Sequence, residues 1–181
     1  MREALRLLAS QHLIVTTRGV TGGSFVSHPD AEQLADGLST GFALLTHSAS
    51  VGLVDLLELR RALEVPAAGL AAMRRTDSHL AELRGALFDP VIDDFDTMMA
   101  AHSAFHRAMS KATGNPLFEL VGSPLYQASY GEEVIGVLPE GYWMRIDADH
   151  RRLVECLISQ DAESATRVAG EHLDFIAEAV R

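Results

Sequence analysis

Four histidines stand where a helical protein normally places aliphatic side chains, and they constrain the fold more than any other feature of the chain. They are His102, His106, His150 and His172. In the segment that starts at Asp93, the apolar stripe of Phe95, Met98, Met99, Phe105 and Met109 also contains His102 and His106. Their i, i+4 spacing stacks two side chains on one helix face. His150 extends by one turn the stripe of Leu153, Val154, Leu157 and Ile158, and His172 lies among Ala165, Val168, Ala169 and Ile176. A buried neutral imidazole needs a partner for each ring nitrogen, so four in one core are costly unless something gathers them. A divalent metal does this most economically. The alternative is four separate core histidines, each bonded to a neighbour or to water. Periodicity by itself does not make the three helices face one another. His12, His28, His47 and His79 fall at ends, turns or polar flanks and receive no role.

The length of 181 residues suits one domain with a small appendage, and the 48% apolar content is ample for its core. Aromatics are only 6% while Ala and Leu dominate, which favours helix. A net charge of −10 argues against nucleic-acid binding by the main body but is compatible with a local basic tip. The single cysteine, Cys156, excludes an intrachain disulfide and thiolate zinc clusters, and reads as an inert packed thiol. Neither a signal peptide nor a bilayer-spanning apolar run is visible, so a cytoplasmic protein without a membrane partner is expected.

Residues 1–28 differ from the rest. The run REALRLLASQHLI reads as a helix with Leu5, Leu8 and Leu13 on one side; LIVTT and SFVSH read as strands joined by the turn RGVTGG. Such a unit is too small to fold alone. Ser27-His28-Pro29-Asp30 reads as a hinge. Residues 29–181 read as a succession of helices: about 31–47, 53–73, 77–87, 93–113, one opened by Asn115-Pro116, 147–160 and 162–181, with a loop over 129–141. Arg60 lies in the stripe of Leu53, Leu56, Leu57, Ala67 and Ala71, so it points inward and needs an anion: either Glu64 at i+4 or a bound carboxylate. No carboxylate is expected beside the histidines as a general base, since Glu171 and Asp174 flank His172 on other faces.

These runs resemble a known family. REALRLLASQHLIVTTRGVTGGSFV is similar to the end of the winged helix-turn-helix of GntR-family transcription regulators, covering the second half of the recognition helix and the wing. LLELRRALEVPAAGLAA, AFHRAMSKATGNPLF and the helices of His150 and His172 resemble the FCD ligand-binding domain of the FadR-like subfamily. The resemblance implies a mainly α fold. A partial winged-helix remnant over 1–28 precedes an antiparallel helical bundle over 29–181 that binds ligand and metal. In many members a metal inside the bundle is held by an aspartate, the FH histidine one turn later, and two further histidines. The matching positions here are His102, His106, His150 and His172, with His102 where the family usually has aspartate. Four neutral imidazoles leave the ion's charge uncompensated and favour borderline metals such as Zn or Ni. The resemblance further implies a small organic acid effector beside the metal, near Arg60. It also implies DNA contacts from Arg2 and Arg6 on the recognition helix and from Arg18 and Gly19 at the wing tip. The chain begins inside that helix, so the winged helix is expected to be truncated, either because the true start lies upstream or because DNA-binding competence is lost. The expected function is that of a homodimeric DNA-binding transcription regulator with no catalytic residues. Two rivals are a metal-dependent helical hydrolase or lyase, and a metal or effector sensor without DNA contact.

Overall fold

Helical periodicity and capping chemistry decide where the elements begin and end. The computed structural model describes residues 2–10, 13–19, 21–27, 31–130 and 138–180. Among them are eight helices and one two-stranded hairpin: α1 (Arg2–Ser10), β1 (Ile14–Thr17), β2 (Gly23–Val26), α2 (Ala31–His47), α3 (Leu53–Arg74), α4 (Asp77–Gly85), α5 (Phe95–Ala112), α6 (Pro116–Ala128), α7 (Tyr142–Ile158) and α8 (Ala162–Ala179). The expected mainly α architecture with a small antiparallel hairpin is therefore present.

In the hairpin Ile14 faces Val26 and Thr17 faces Gly23. A side chain at Gly22 would come within 2.6 Å of the Thr17 carbonyl, which explains a glycine in this turn. The expected hinge at 27–30 and the expected loop at 129–141 lie largely outside the described residues, as do His12 and His28.

The helix starts follow side-chain caps. Asp94 accepts from the Thr97 amide at 2.8 Å, Asn115 from Leu117 at 3.1 Å, and Asp161 from Ser164 at 3.0 Å. Each satisfies an amide that the first helical turn leaves free. Most boundaries in the bundle fall within two residues of expectation. The large difference is that α7 begins at Tyr142 rather than Asp147, and it has a clear cause. Tyr142 and Ile146 carry the buried stripe of His150, Leu153 and Leu157 further toward the N-terminus, and Gly141, at φ 77°, turns the chain into it.

Helix α3 is the hub of the bundle, packing against α8, α5, α6 and α7. Helix α4 bridges α5 and α7, α7 pairs with α8, and α2 lies along α6. At Gly69 α3 approaches α8 so closely that a Cβ would meet Thr166 Oγ1 at 2.5 Å. Two apolar clusters make up the core. One gathers Ala68, Leu83, Phe105, Leu153, Leu157 and Val168; the other gathers Leu57, Met98, Tyr142, Ile146, Leu173 and Ile176. Cys156 is half-buried against the first, in keeping with a packed thiol. Along α3, α5, α7 and α8 the chain passes from one cluster to the other, and the inward polar side chains sit at that crossing. Among the described residues no helix is long and apolar enough to cross a membrane.

Burial ranks the leucines by their weight in this core. Leu157 is fully buried in the first cluster, whereas Leu117 on α6 is 61% exposed. Leu157→Ala is expected to cost about 2–5 kcal/mol through lost transfer energy and a residual cavity. Leu117→Ala should change stability by less than about 0.5 kcal/mol. Urea unfolding of the two variants beside the wild type checks the contrast.

Candidate metal centre

Helix α5 contributes His102 and His106 from successive turns, α7 contributes His150 and α8 contributes His172, all directed to one point in the bundle. One ring nitrogen from each lies within 4.8 Å of all the others. The i, i+4 pair meets through its Nε2 atoms at 2.9 Å. His150 stacks flat on Phe105, with ring centroids 3.8 Å apart and planes 7° apart, so packing fixes its orientation. Trp143 and His102 meet in a T-shaped arrangement, 5.7 Å between centroids. His102, His150 and His172 are buried, and His106 is nearly so.

The hydrogen-bond inventory of this cluster is incomplete. Among the described residues, both nitrogens of His150, both of His172 and Nδ1 of His102 are buried without a hydrogen-bond partner. Buried polar groups are rarely left in this state. Four imidazoles converging to this degree, with orphaned lone pairs, fit a nitrogen-ligated divalent ion of the zinc or nickel type. The four residues selected by their helix stripes are the ones that the fold brings together.

A carboxylate also reaches the cluster, contrary to expectation. Glu64 on α3 holds Oε2 at 2.8 Å from His106 Nδ1, while its Oε1 accepts from Arg60 Nε at 2.6 Å. Arg60 Nη2 reaches Oε2 at 3.3 Å, and Nη1 is buried without a hydrogen-bond partner among the described residues. The guanidinium lies over the Tyr126 ring, 4.8 Å from its centroid. Arg60 thus points inward as expected, and Glu64 is the anion that it holds. A second unexpected carboxylate, Asp149, is buried with Oδ2 at 3.6 Å from His172 Nδ1, an electrostatic contact rather than a hydrogen bond. Arg145 and Arg152 hold it from the other side, at 2.9 and 3.1 Å. Both carboxylates escaped the sequence reading for one reason. Glu64 is visible as the i+4 partner of Arg60, but its reach to α5 depends on how α3 packs; Asp149, next to His150, sits between the inner and outer faces of α7. Glu171 and Asp174 lie off the site as expected, paired with Arg152 and Arg167 and with Arg61 respectively.

Burial sets the electrostatics. It pushes His102 and His150 well below the ordinary histidine range, and the neighbouring imidazoles and Arg60 add to the effect. Burial lowers His106 to about 4, although Glu64 pulls it upward. Burial disfavours the charge on Glu64, but Arg60 and His106 together outweigh it and hold the carboxyl well below its usual range. At neutral pH His102, His106 and His150 are thus neutral, beside an ionised Arg60–Glu64 pair. Two small cavities flank His106, one of about 30 Å³ toward Phe105 and His172 and one of about 10 Å³ toward Ser123 and Tyr126. These have room for water but not for an organic acid.

The four residues expected to contact DNA lie apart from this centre. Arg2 and Arg6 are exposed on α1, and Arg18 and Gly19 are exposed at the hairpin turn, where Gly19 adopts φ 124°. α1 has no buried residue, and Leu5, Leu8 and Phe25 remain exposed.

Comparison with known proteins places this geometry in context. The FCD domain model matches residues 55–175. The Bacillus subtilis (strain 168) protein named HTH-type transcriptional regulator LutR is 32% identical over 66% of this chain and 52% of its own length. The Escherichia coli (strain K12) protein named putative L-lactate dehydrogenase operon regulatory protein is 23% identical over 97% of this chain and 69% of its own. Two solved structures share the fold. Streptococcus agalactiae GntR has a TM-score of 0.65 at 23% identity, covering 98% of this chain and 80% of that one. A GntR family member from Pseudomonas syringae pv. tomato str. DC3000 has a TM-score of 0.55 at 20% identity, covering 99% of this chain and 68% of that one.

The depressed histidines make the metal-free fold acid-sensitive. A group whose folded pKa lies below its unfolded value takes up its proton only in the unfolded chain between the two, and stability then rises with pH. For His106 that window runs from the ordinary 6.5 down to about 4, and His102 and His150 act in the same direction. Stability is therefore complete above pH 6.5 and declines as pH falls toward 4, by about 1.4 kcal/mol per pH unit for each histidine. Urea unfolding of chelator-treated protein across this range should show the decline, and His106→Gln should reduce its slope.

Proposed function

The chain belongs to the FCD-domain family of GntR-type transcription regulators, and on that premise we propose that its helical domain is the sensing half of a DNA-binding regulator. His102, His106, His150 and His172 hold one divalent ion, zinc or nickel by the chemistry of the donor set. The single observation that carries this reading is the convergence of four ring nitrogens within 4.8 Å of one another, several of them buried without another partner. The ion organises the site rather than hydrolysing a substrate, since the carboxylate nearest the histidines is already engaged by Arg60.

A small carboxylate is the proposed effector. Four neutral imidazoles leave the charge of the ion unbalanced, and the ion pair of Arg60 with Glu64 is neutral as a unit. An acid between the ion and Arg60 Nη1, an unused buried donor, would supply the missing negative charge. L-lactate is the first acid to test, because one relative bears the name of a lactate dehydrogenase operon regulator. The cavities around His106 are water-sized, so an acid enters only as side chains and helices move. That requirement gives the acid different affinities for two arrangements of the bundle, the condition for any ligand to shift a conformational equilibrium. In a homodimer this shift would alter how paired N-terminal units, through Arg2, Arg6, Arg18 and Gly19, meet two half-sites of an operator.

Two measurements test the reading. Metal analysis by mass spectrometry should find about one equivalent of zinc or nickel per chain, lost in the His106→Ala/His172→Ala double variant. A well-folded wild type that stays metal-free when offered both ions would refute the metal centre. In the metal-loaded protein, lactate at a hundred times its dissociation constant should raise unfolding stability by about 2.7 kcal/mol. Arg60→Lys keeps the charge but loses the fork, and should weaken lactate affinity at least about tenfold, which cuts the stabilisation at the same lactate concentration to about 1.4 kcal/mol or less.

A further inference from the structure

A histidine can ligate a metal through Nε2 only if its proton resides on Nδ1, and something must keep it there. Among the described residues none accepts a hydrogen bond from Nδ1 of His102 or His150, and at His172 the Asp149 Oδ2 atom stands 3.6 Å from Nδ1, beyond hydrogen-bonding reach. His106 is the exception, with Nδ1 2.8 Å from Glu64 Oε2. A carboxylate accepts and cannot donate, so this contact requires N–H at Nδ1 and leaves the Nε2 lone pair of the neutral ring directed at the other imidazoles. The 2.9 Å approach of the two Nε2 atoms follows from this: in the metal-free protein His102 donates there and His106 accepts. Glu64 is held in turn by Arg60, through Nε at 2.6 Å and Nη2 at 3.3 Å, so it cannot rotate away without unpairing a buried guanidinium.

We propose that Glu64 is the positioning residue of the metal centre, fixing His106 in the one tautomer that can ligate an ion. The role rests on the reading of the four histidines as metal ligands, but the tautomer itself can be observed without any metal. No carboxylate stands among the four proposed ligands, and Glu64 supplies a negative charge on the far side of the His106 ring.

The substitution Glu64→Gln isolates this role because it conserves shape while changing one oxygen to a donor. Arg60 Nε makes the shorter contact and claims the remaining carbonyl oxygen. The new amide then occupies the Oε2 position and donates to His106 Nδ1, driving the proton to Nε2 and closing the lone pair. Zinc affinity, measured by competition with a chromophoric chelator, is expected to fall about 10–100-fold. Glu58→Gln, an exposed change on the same helix, should leave it unchanged. Long-range nitrogen–proton correlation spectra of the metal-free protein should show the Nδ1–H form of His106 in the wild type and the Nε2–H form in Glu64→Gln. A purely structural role would lower the melting temperature without switching the tautomer. Wild-type affinity in Glu64→Gln, or an Nε2–H tautomer of His106 in the wild type, overturns the proposal. The wild-type spectrum decides the second point even if the variant fails to fold. A wild type that binds no zinc overturns the metal reading and this role with it, while the spectrum still reports whether Glu64 sets the tautomer.

Discussion

A polar layer buried between two apolar clusters must be solvated by the protein itself, and that requirement shapes the rest of this bundle. Arg60, Glu64 and the four histidines stand where α3, α5, α7 and α8 pass from one cluster to the other. Each polar atom there either finds a partner or costs on the order of 1–3 kcal/mol. A slip of α3 against α5 by a turn would separate His106 from Glu64, while the Arg60–Glu64 pair, which lies within α3, would move as a unit. The layer therefore acts as a register key: apolar packing holds the helices together, and polar pairing selects their relative height. The same logic explains why the layer is poorly satisfied when only protein atoms are counted. Its remaining nitrogens converge on a point rather than on neighbouring side chains.

Most of the architecture was legible because it depends on short-range rules. Asn115-Pro116 and Asp161 announce helix starts through groups that cap free amides, and Gly114, at φ 69°, ends α5 where the residue type suggests. The histidines were legible because a polar residue on an apolar stripe is conspicuous at helical spacing. What remained hidden depends on three-dimensional approach. Glu64 meets a histidine more than forty positions along the chain only because α3 lies against α5. Asp149 sits on a flank of α7, and only Arg145, Arg152 and the nearby α8 make its burial tolerable. The early start of α7 was missed because Asp147 resembles a helix N-terminus, yet the buried stripe through Tyr142 and Ile146 overrides that local signal.

Family membership and site geometry address different questions. The FCD match accounts for the bundle and assigns the chain to a class of transcription regulators. The arrangement of side chains is what the proposed sensing role rests on. Helix α5 carries two of the histidines and packs on α6, which in turn carries α2, the helix that follows the N-terminal hairpin. A rearrangement around His102 and His106 thus has a continuous packed route from the bundle interior to α2. This is spatial continuity; energetic coupling along it is a separate property that only linkage measurements establish.

The position of Trp143 has a practical consequence. It is the only tryptophan in the chain, and its indole stands in T-shaped contact with His102 and also with Phe88 and Phe95. The molecule thus carries a built-in optical reporter a few ångströms from its buried imidazoles. A paramagnetic ion such as nickel or copper at that distance would quench the emission, whereas closed-shell zinc would alter it only through the local field. Events in the interior of the bundle can therefore be followed in dilute solution, with no label attached and no residue changed.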